Sequence, residues 1–395
     1  MIRFLCLAVL CAAQSCAQSI KQPPKDLFLL TGRTTDTLPF LEYGLGEDRL
    51  GGAKMTFLDT SIMIKVVDSV KNVYKVQLSQ SHFAYLPKRY FKPDSSIKVQ
   101  PYYLTNSWKV YGDDKYDYIA IKLDERMPYR GIQQINPSRI LVDIFGVNSN
   151  TNWITQQSTT KEIKNTWYEQ AEDDVMRVVI DLKHEAHWGY NIYYEGNILV
   201  IRIKQQPKVL ELPKLKIAVD AGHGGDNKGT GGATCHCLEK NYTLLYAEEL
   251  KKALQKEKAT VFMTRETDTT LSMPERVLML KDQEPDISIS LHFNSSDYDT
   301  TQGASTYYRY IGFRPLTQFI LKRMKELGLK EYGNVGNFNF GLNGPTDYPN
   351  CLVEIGFLSN KADEKKILSP AFRKQVAAKI IAGIKDWLKS MHKTT

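Results

Sequence analysis

The chain has 395 residues, 42% of them hydrophobic and 24% charged, with a formal net charge of +8. That length points to two or three globular domains, and the composition excludes a disordered, collagen-like or fibrous chain. The mild basicity favours an anionic polymer as partner, but there is no Lys/Arg block to track phosphates and no zinc-finger spacing, which argues against a nucleic-acid binder.

In chain order, the first signal is at the amino terminus. Arg3 supplies a positive charge, residues 4–13 form an apolar run, and Ser15 and Ala17 are the small residues of a cleavage site before Gln18. The run is too short to span a bilayer, so residues 1–17 read as a cleaved secretory signal. The alternative is a lipoprotein signal acylated at Cys16 or Cys11, although the residues before each fit that pattern poorly. No later stretch is long enough for a transmembrane helix. The mature chain keeps Cys235, Cys237 and Cys351, too few for a disulfide framework.

Residues 18–25 form a polar linker containing Pro23 and Pro24. Within 26–95, short strands are expected at 27–30, 53–58, 62–67, 74–78 and 83–86, punctuated by glycines and by the polar run 68–72. Short strands with regular turn signals predict a small β-barrel. Residues 105–205 hold an approximate repeat, with strands at 118–123 and 139–145 in one half and at 176–182 and 197–203 in the other. Alternating apolar and polar positions predict half-buried antiparallel strands, and a duplicated β-unit predicts a small two-sheet sandwich. Pro207 and Pro213 then mark a short linker.

From 215 to 391 the pattern changes. Strands are expected at 217–220, 260–264, 287–292, 305–310 and 351–355, and helices at 239–256, 273–282, 315–327 and 371–391. The Gly/Asn-rich stretch 332–348 shows no periodic pattern and stands next to the last strand, where it can border a cleft. Alternating strands and helices predict an α/β domain with a mostly parallel sheet, whose site lies beyond the carboxyl ends of the strands.

Three strands end in polar residues at that edge. One runs through Asp220 into Gly222-His223-Gly224-Gly225, one into His292-Phe293-Asn294, and one carries Glu354 inside an apolar run. Glu239 opens the first helix. Two histidines and a carboxylate are the usual ligands of a catalytic zinc with one position open. A further carboxylate is then required to move the proton of the attacking water. Glu354 is hard to explain otherwise, because a buried carboxylate requires a partner or a raised pKa.

These residues also carry resemblances. The motifs Asp220-Ala-Gly-His-Gly-Gly225, Glu239-Lys240-Asn241, Thr264-Arg265 with Asp268, Arg276, Ser290-Leu-His292-Phe-Asn294 and Leu352-Val-Glu354-Ile-Gly-Phe357 occur in the order seen in zinc-dependent N-acetylmuramoyl-L-alanine amidases. The region 105–205 resembles the AMIN domain, a wall-targeting module, and 26–95 resembles bacterial Src-homology-3-like domains of wall hydrolases. The amidase resemblance implies His223, Glu239 and His292 as Zn2+ ligands and Glu354 as the catalytic carboxylate. It implies peptidoglycan as substrate, cut by zinc-activated water between N-acetylmuramic acid and L-alanine, and a location in the periplasm or cell wall. Ala221 replaces the proline often found after the aspartate, and Phe293 stands where a small residue is usual. Cys235-His236-Cys237 reads as plain loop, with a soft metal site or redox switch as alternatives. A zinc peptidase acting on the stem peptide and an inactive wall-binding protein are the competing readings of the whole chain.

Overall fold

The computed structural model describes residues 28–46 and 50–393, so the signal expected at 1–17 and the linker at 18–25 lie outside it. The first module is a seven-stranded antiparallel sheet made of Leu30–Thr34, Phe40–Glu42, Lys54–Phe57, Met63–Val70, Val73–Gln77, Phe83–Pro87 and Phe91–Pro93. Its first strand begins at Leu30, later than expected. The strands at 40–42 and 91–93 have only three residues each, too few to show a period of two.

The repeat in the second module explains its pairing. Ser138–Phe145 of one half pairs antiparallel with Val175–Leu182 of the other. Tyr116–Leu123 and Ile198–Lys204 pair in the same way in a second sheet. Each half thus contributes a strand to each sheet, and the strands are largely buried, Ser138–Phe145 along six consecutive residues. Leu41, Val66 and Leu86 of the first module join Ile119, Val142, Val178 and Ile201 of the second in one continuous apolar core.

The third region carries the polar strand ends. Its elements are β1 (Lys216–Ala221), α1 (Glu239–Lys256), β2 (Thr260–Met263), α2 (Met273–Gln283), β3 (Ile287–Asn294), β4 (Ala304–Tyr307), α3 (Arg314–Lys325), β5 (Glu331–Val335), β6 (Asn350–Phe357), α4 (Lys361–Ile367) and α5 (Pro370–Ser390). The sheet order is β2-β1-β3-β6-β4-β5. The sheet is mixed: β4 runs antiparallel to β6, and the other neighbours are parallel. The strand expected at 305–310 ends at Tyr307, β5 overlaps the start of the patternless stretch 332–348, and α4 adds to the expected helices.

Strand parity decides which face holds the chemistry. Ile217, Val219 and Ala221 of β1, Ile289 and Leu291 of β3, and Val353 and Ile355 of β6 pack under α1, α3 and α5 in one core. Alternate residues point to the opposite face, and these are Asp220, Ser290, His292 and Glu354. That face has a thinner cover, in which Ala218 meets Val277 and Leu280 of α2 with Leu342 and Tyr348.

The β modules are docked onto this region. Tyr190 N donates to Thr346 O at 2.8 Å, Gly312 N donates to Gln133 Oε1 at 2.8 Å, and Lys204 pairs with Asp286 at 2.7 Å. Trp188 packs on Trp387 with ring centroids 5.2 Å apart. No helix among the described residues is long and apolar enough to cross a membrane.

Candidate active site

β1 delivers its chain into a tight turn in which His223 has φ +61. The turn is held from below. Arg276 of α2 donates through Nη1 to Ala221 O at 2.8 Å and through Nη2 to His223 O. Arg265 donates to Ala221 O and Gly222 O, both at 2.9 Å. Gly222 is required here, because a Cβ on it would stand 2.3 Å from the His292 ring. Asn227 Oδ1 accepts a hydrogen bond from His223 Nδ1 at 2.8 Å, which leaves Nε2 as the ring nitrogen turned toward Glu239.

Glu239 sits in the first turn of α1 and lies between the two histidines. Its Oε2 is 3.0 Å from His223 Nε2 and its Oε1 is 3.1 Å from His292 Nδ1. Backbone N–H groups of Thr230 and Phe293 donate to the same carboxylate at 2.9 and 3.0 Å. Burial works against its ionisation, but the hydrogen bonds to His223 and His292 outweigh that and hold the carboxyl well below the usual range. The same carboxylate raises His223 above the ordinary imidazole value against the opposing pull of burial.

One ligand atom from each of His223, Glu239 and His292 falls in a group whose members all lie within 4.8 Å of one another. His292 Nε2 is buried and has no hydrogen-bond partner among the described residues. A buried imidazole nitrogen without a partner is unfavourable in an apoprotein, and a divalent cation would satisfy it. The donors are two imidazoles and one carboxylate, which fits zinc.

Glu354 is set beside this cluster by register. In the parallel pair β3–β6 it stands opposite His292, and on its other side it faces Ser305 of β4. A cleft of about 530 Å3 is lined by His223, Glu239, His292 and Glu354 together with Phe338, Phe340 and Leu352. The four residues singled out in the sequence therefore line one cleft.

Residues 217–386 match the family described as N-acetylmuramoyl-L-alanine amidase, and residues 108–203 match the AMIN domain. The chain carries an amidase domain preceded by an AMIN domain. The amidase domain is 34% identical over 175 residues to the probable cell wall amidase LytH of Staphylococcus epidermidis, covering 44% of this chain and 58% of that relative. The LytH of Staphylococcus saprophyticus is 31% identical over 190 residues, covering 48% of this chain and 64% of the relative. The match thus spans less than two thirds of these relatives' own length. Among solved structures, the catalytic domain of CwlV from Paenibacillus polymyxa is 29% identical, covering 44% of this chain and 98% of that one, with a TM-score of 0.43. An amidase from Clostridium difficile is likewise 29% identical and has a TM-score of 0.43, covering 45% of this chain and 97% of that one.

Several residues of the amidase domain do work that sequence reading left unassigned. Asp220 is 1% exposed, and its Oδ1 accepts from Arg276 and from Thr264, both at 2.6 Å. Burial opposes its charge, but Arg276, Ser290 and Thr264 keep its pKa below the ordinary aspartate value. Arg265 and Arg276 belong to the ordered motif set, but the sequence alone shows no role for them. Phe293 is buried and packs edge-on to Tyr246 at 5.1 Å, while its N–H serves Glu239. Cys235 and Cys237, read as plain loop, are joined in a disulfide. His236 between them turns the chain with φ +52, which brings the two side chains to the same side.

Proposed function

We propose that this protein is an extracytoplasmic, zinc-dependent amidase that cleaves the bond between N-acetylmuramic acid and the L-alanine of the stem peptide in peptidoglycan. The observation that carries the reading is the meeting of His223, Glu239 and His292 around a buried, unpartnered imidazole nitrogen, with Glu354 in register beside them in one cleft. The amidase and AMIN matches support peptidoglycan as the polymer. The net positive charge suits an anionic wall.

His223, Glu239 and His292 would hold Zn2+, which supplies a Lewis acid and a water that ionises near neutral pH. Glu354 accepts the proton of the water that adds to the lactyl carbonyl. It returns that proton to the alanine nitrogen as the C–N bond breaks, leaving a lactyl carboxylate and a free peptide amine. Asn227 orients His223, and Thr230 and Phe293 orient Glu239, so the ligands are held before metal arrives. We assign 1–17 as a signal, 26–95 as a Src-homology-3-like barrel, 105–205 as an AMIN sandwich and 215–391 as the catalytic α/β domain.

The experiment is metal analysis of the purified mature chain and of its His223→Ala and His292→Ala variants. One zinc per wild-type chain, lost in both variants, is expected. A full zinc complement in both variants would remove the assigned ligand set.

A further inference from the structure

The segment between β5 and β6 builds one wall of the cleft, and the N-terminal module grips it. Phe338 and Phe340 both line the cleft. Their rings lie 6.2 Å apart at 29°, Phe340 meets His292 edge-on at 5.5 Å, and Phe338 packs on Tyr307 at 4.5 Å. Asn339, between them, is bonded to the first module, which precedes it by almost three hundred residues. Its Oδ1 accepts from Lys54 N at 3.1 Å and from Arg309 Nη1 at 3.0 Å. Its Nδ2 donates to Gly52 O at 2.8 Å and to Leu50 O at 3.3 Å. The other arm of the Arg309 fork donates to Lys54 O.

Both donors and both lone pairs of the Asn339 amide are thereby used. A second point of contact lies at Gly344, where a Cβ would stand 2.8 Å from the Phe57 ring. Leu50 itself lines the cleft alongside the metal-centre residues. Apart from the three-residue turn Gly341–Asn343, the stretch from Gly336 to Pro349 has no regular secondary structure of its own. Ordering it has a conformational entropy cost, and the clamp meets that cost before substrate arrives.

We propose that the N-terminal module is part of the substrate-binding cleft: Asn339 is a positioning residue that fixes the Phe338 and Phe340 wall, and Leu50 completes that wall. An apolar wall beside a polar metal centre orients the uncharged part of a substrate while the polar groups are held at the centre. This rests on the reading of the cleft as the amidase site.

The test uses the full mature chain and a soluble disaccharide–peptide monomer of peptidoglycan. Turnover is measured in the active protein, and binding by calorimetry in a Glu354→Gln background. Asn339→Ala is expected to raise KM and weaken binding about tenfold, with kcat within about twofold and the zinc stoichiometry unchanged. Arg309→Lys, which retains one arm of the fork, is expected to shift both in the same direction by about threefold, and it keeps the question open to test where Asn339→Ala does not fold. Unchanged KM and binding in the two variants would overturn the proposal. So would a loss of kcat or of zinc at constant KM, which would make the clamp a support of the metal centre. If the wild type fails to turn over the monomer while the Glu354→Gln chain binds it in an Asn339-dependent way, the clamp stands and the amidase reading falls.

Discussion

Asp220→Ala should destabilise the catalytic domain by about 3–5 kcal/mol, the usual result of stripping one partner from a buried ion pair. Asp220 and Arg276 are 1% and 3% exposed and 2.6 Å apart. Truncation leaves the guanidinium buried with only the Ala221 and His223 carbonyls as partners. It also removes the acceptor of the Thr264 and Ser290 hydroxyls, each 2.6 Å away. For a domain of this size the loss corresponds to a fall in Tm of roughly 6–20 °C. The double variant Asp220→Ala/Arg276→Met removes both charges and should recover most of the stability, because apolar replacement of a buried pair is often close to neutral. It should not recover zinc affinity, since Arg276 also ties down the turn that presents His223. Thermal unfolding by circular dichroism in the presence of chelator isolates the stability effect from metal linkage, and competition with a chromophoric chelator reads the affinity. A single variant within about 1 kcal/mol of the wild type would refute the reasoning, since a broken buried pair cannot be that cheap. So would a double variant that binds zinc as the wild type does.

Glu354→Gln should lower kcat by about 10²–10⁴, the usual contribution of a general base, with one zinc per chain retained; activity on a muropeptide together with metal analysis checks both, and near-normal turnover would remove Glu354 from proton transfer. Replacing Cys235 and Cys237 by serine should leave one zinc per chain, because the cysteines form their own disulfide and the proposed metal donors are His223, Glu239 and His292; loss of metal in that variant would contradict the assignment. Asp143 of the second module is 1% exposed and paired to Arg177 and Arg130. Burial raises its pKa, but the two arginines outweigh burial and leave it lowered. With a folded pKa below the unfolded one, its contribution is present above about pH 4 and is lost as pH falls further, through the folded value. Asp143→Asn should therefore flatten the drop in Tm on acidification below about pH 4; an unchanged drop would show that other carboxylates carry it.

Much of the site was legible because the chemistry sits where periodic strands stop. The runs ending at Asp220, His292 and Glu354 are short, buried and largely apolar up to the polar residue, and the span of α1 follows from the apolar positions behind Glu239. Sequence could not place Glu354 opposite His292, because that depends on β6 lying next to β3, a neighbour relation between strands far apart in the chain. β5 escaped notice because Gly333 and Asn334 carry little strand propensity. The side chain of Asn334 is instead held by Thr306 and Thr317 at 2.9 and 2.7 Å. The grip of the first module on Asn339 leaves no local pattern either, since it is made largely to backbone groups of Leu50, Gly52 and Lys54. The Cys235–Cys237 bridge has no signal in the sequence, because a count of three cysteines points away from disulfides in general and says nothing of one short loop.

The most direct test of the central claim is mass spectrometry of purified peptidoglycan digested by the mature chain, with and without a zinc chelator. Release of intact stem peptides bearing a new L-alanine amino terminus, abolished by chelator and restored by zinc, is the predicted result. Muramyl residues that still carry shortened peptides would contradict it and place the enzyme among the peptidases.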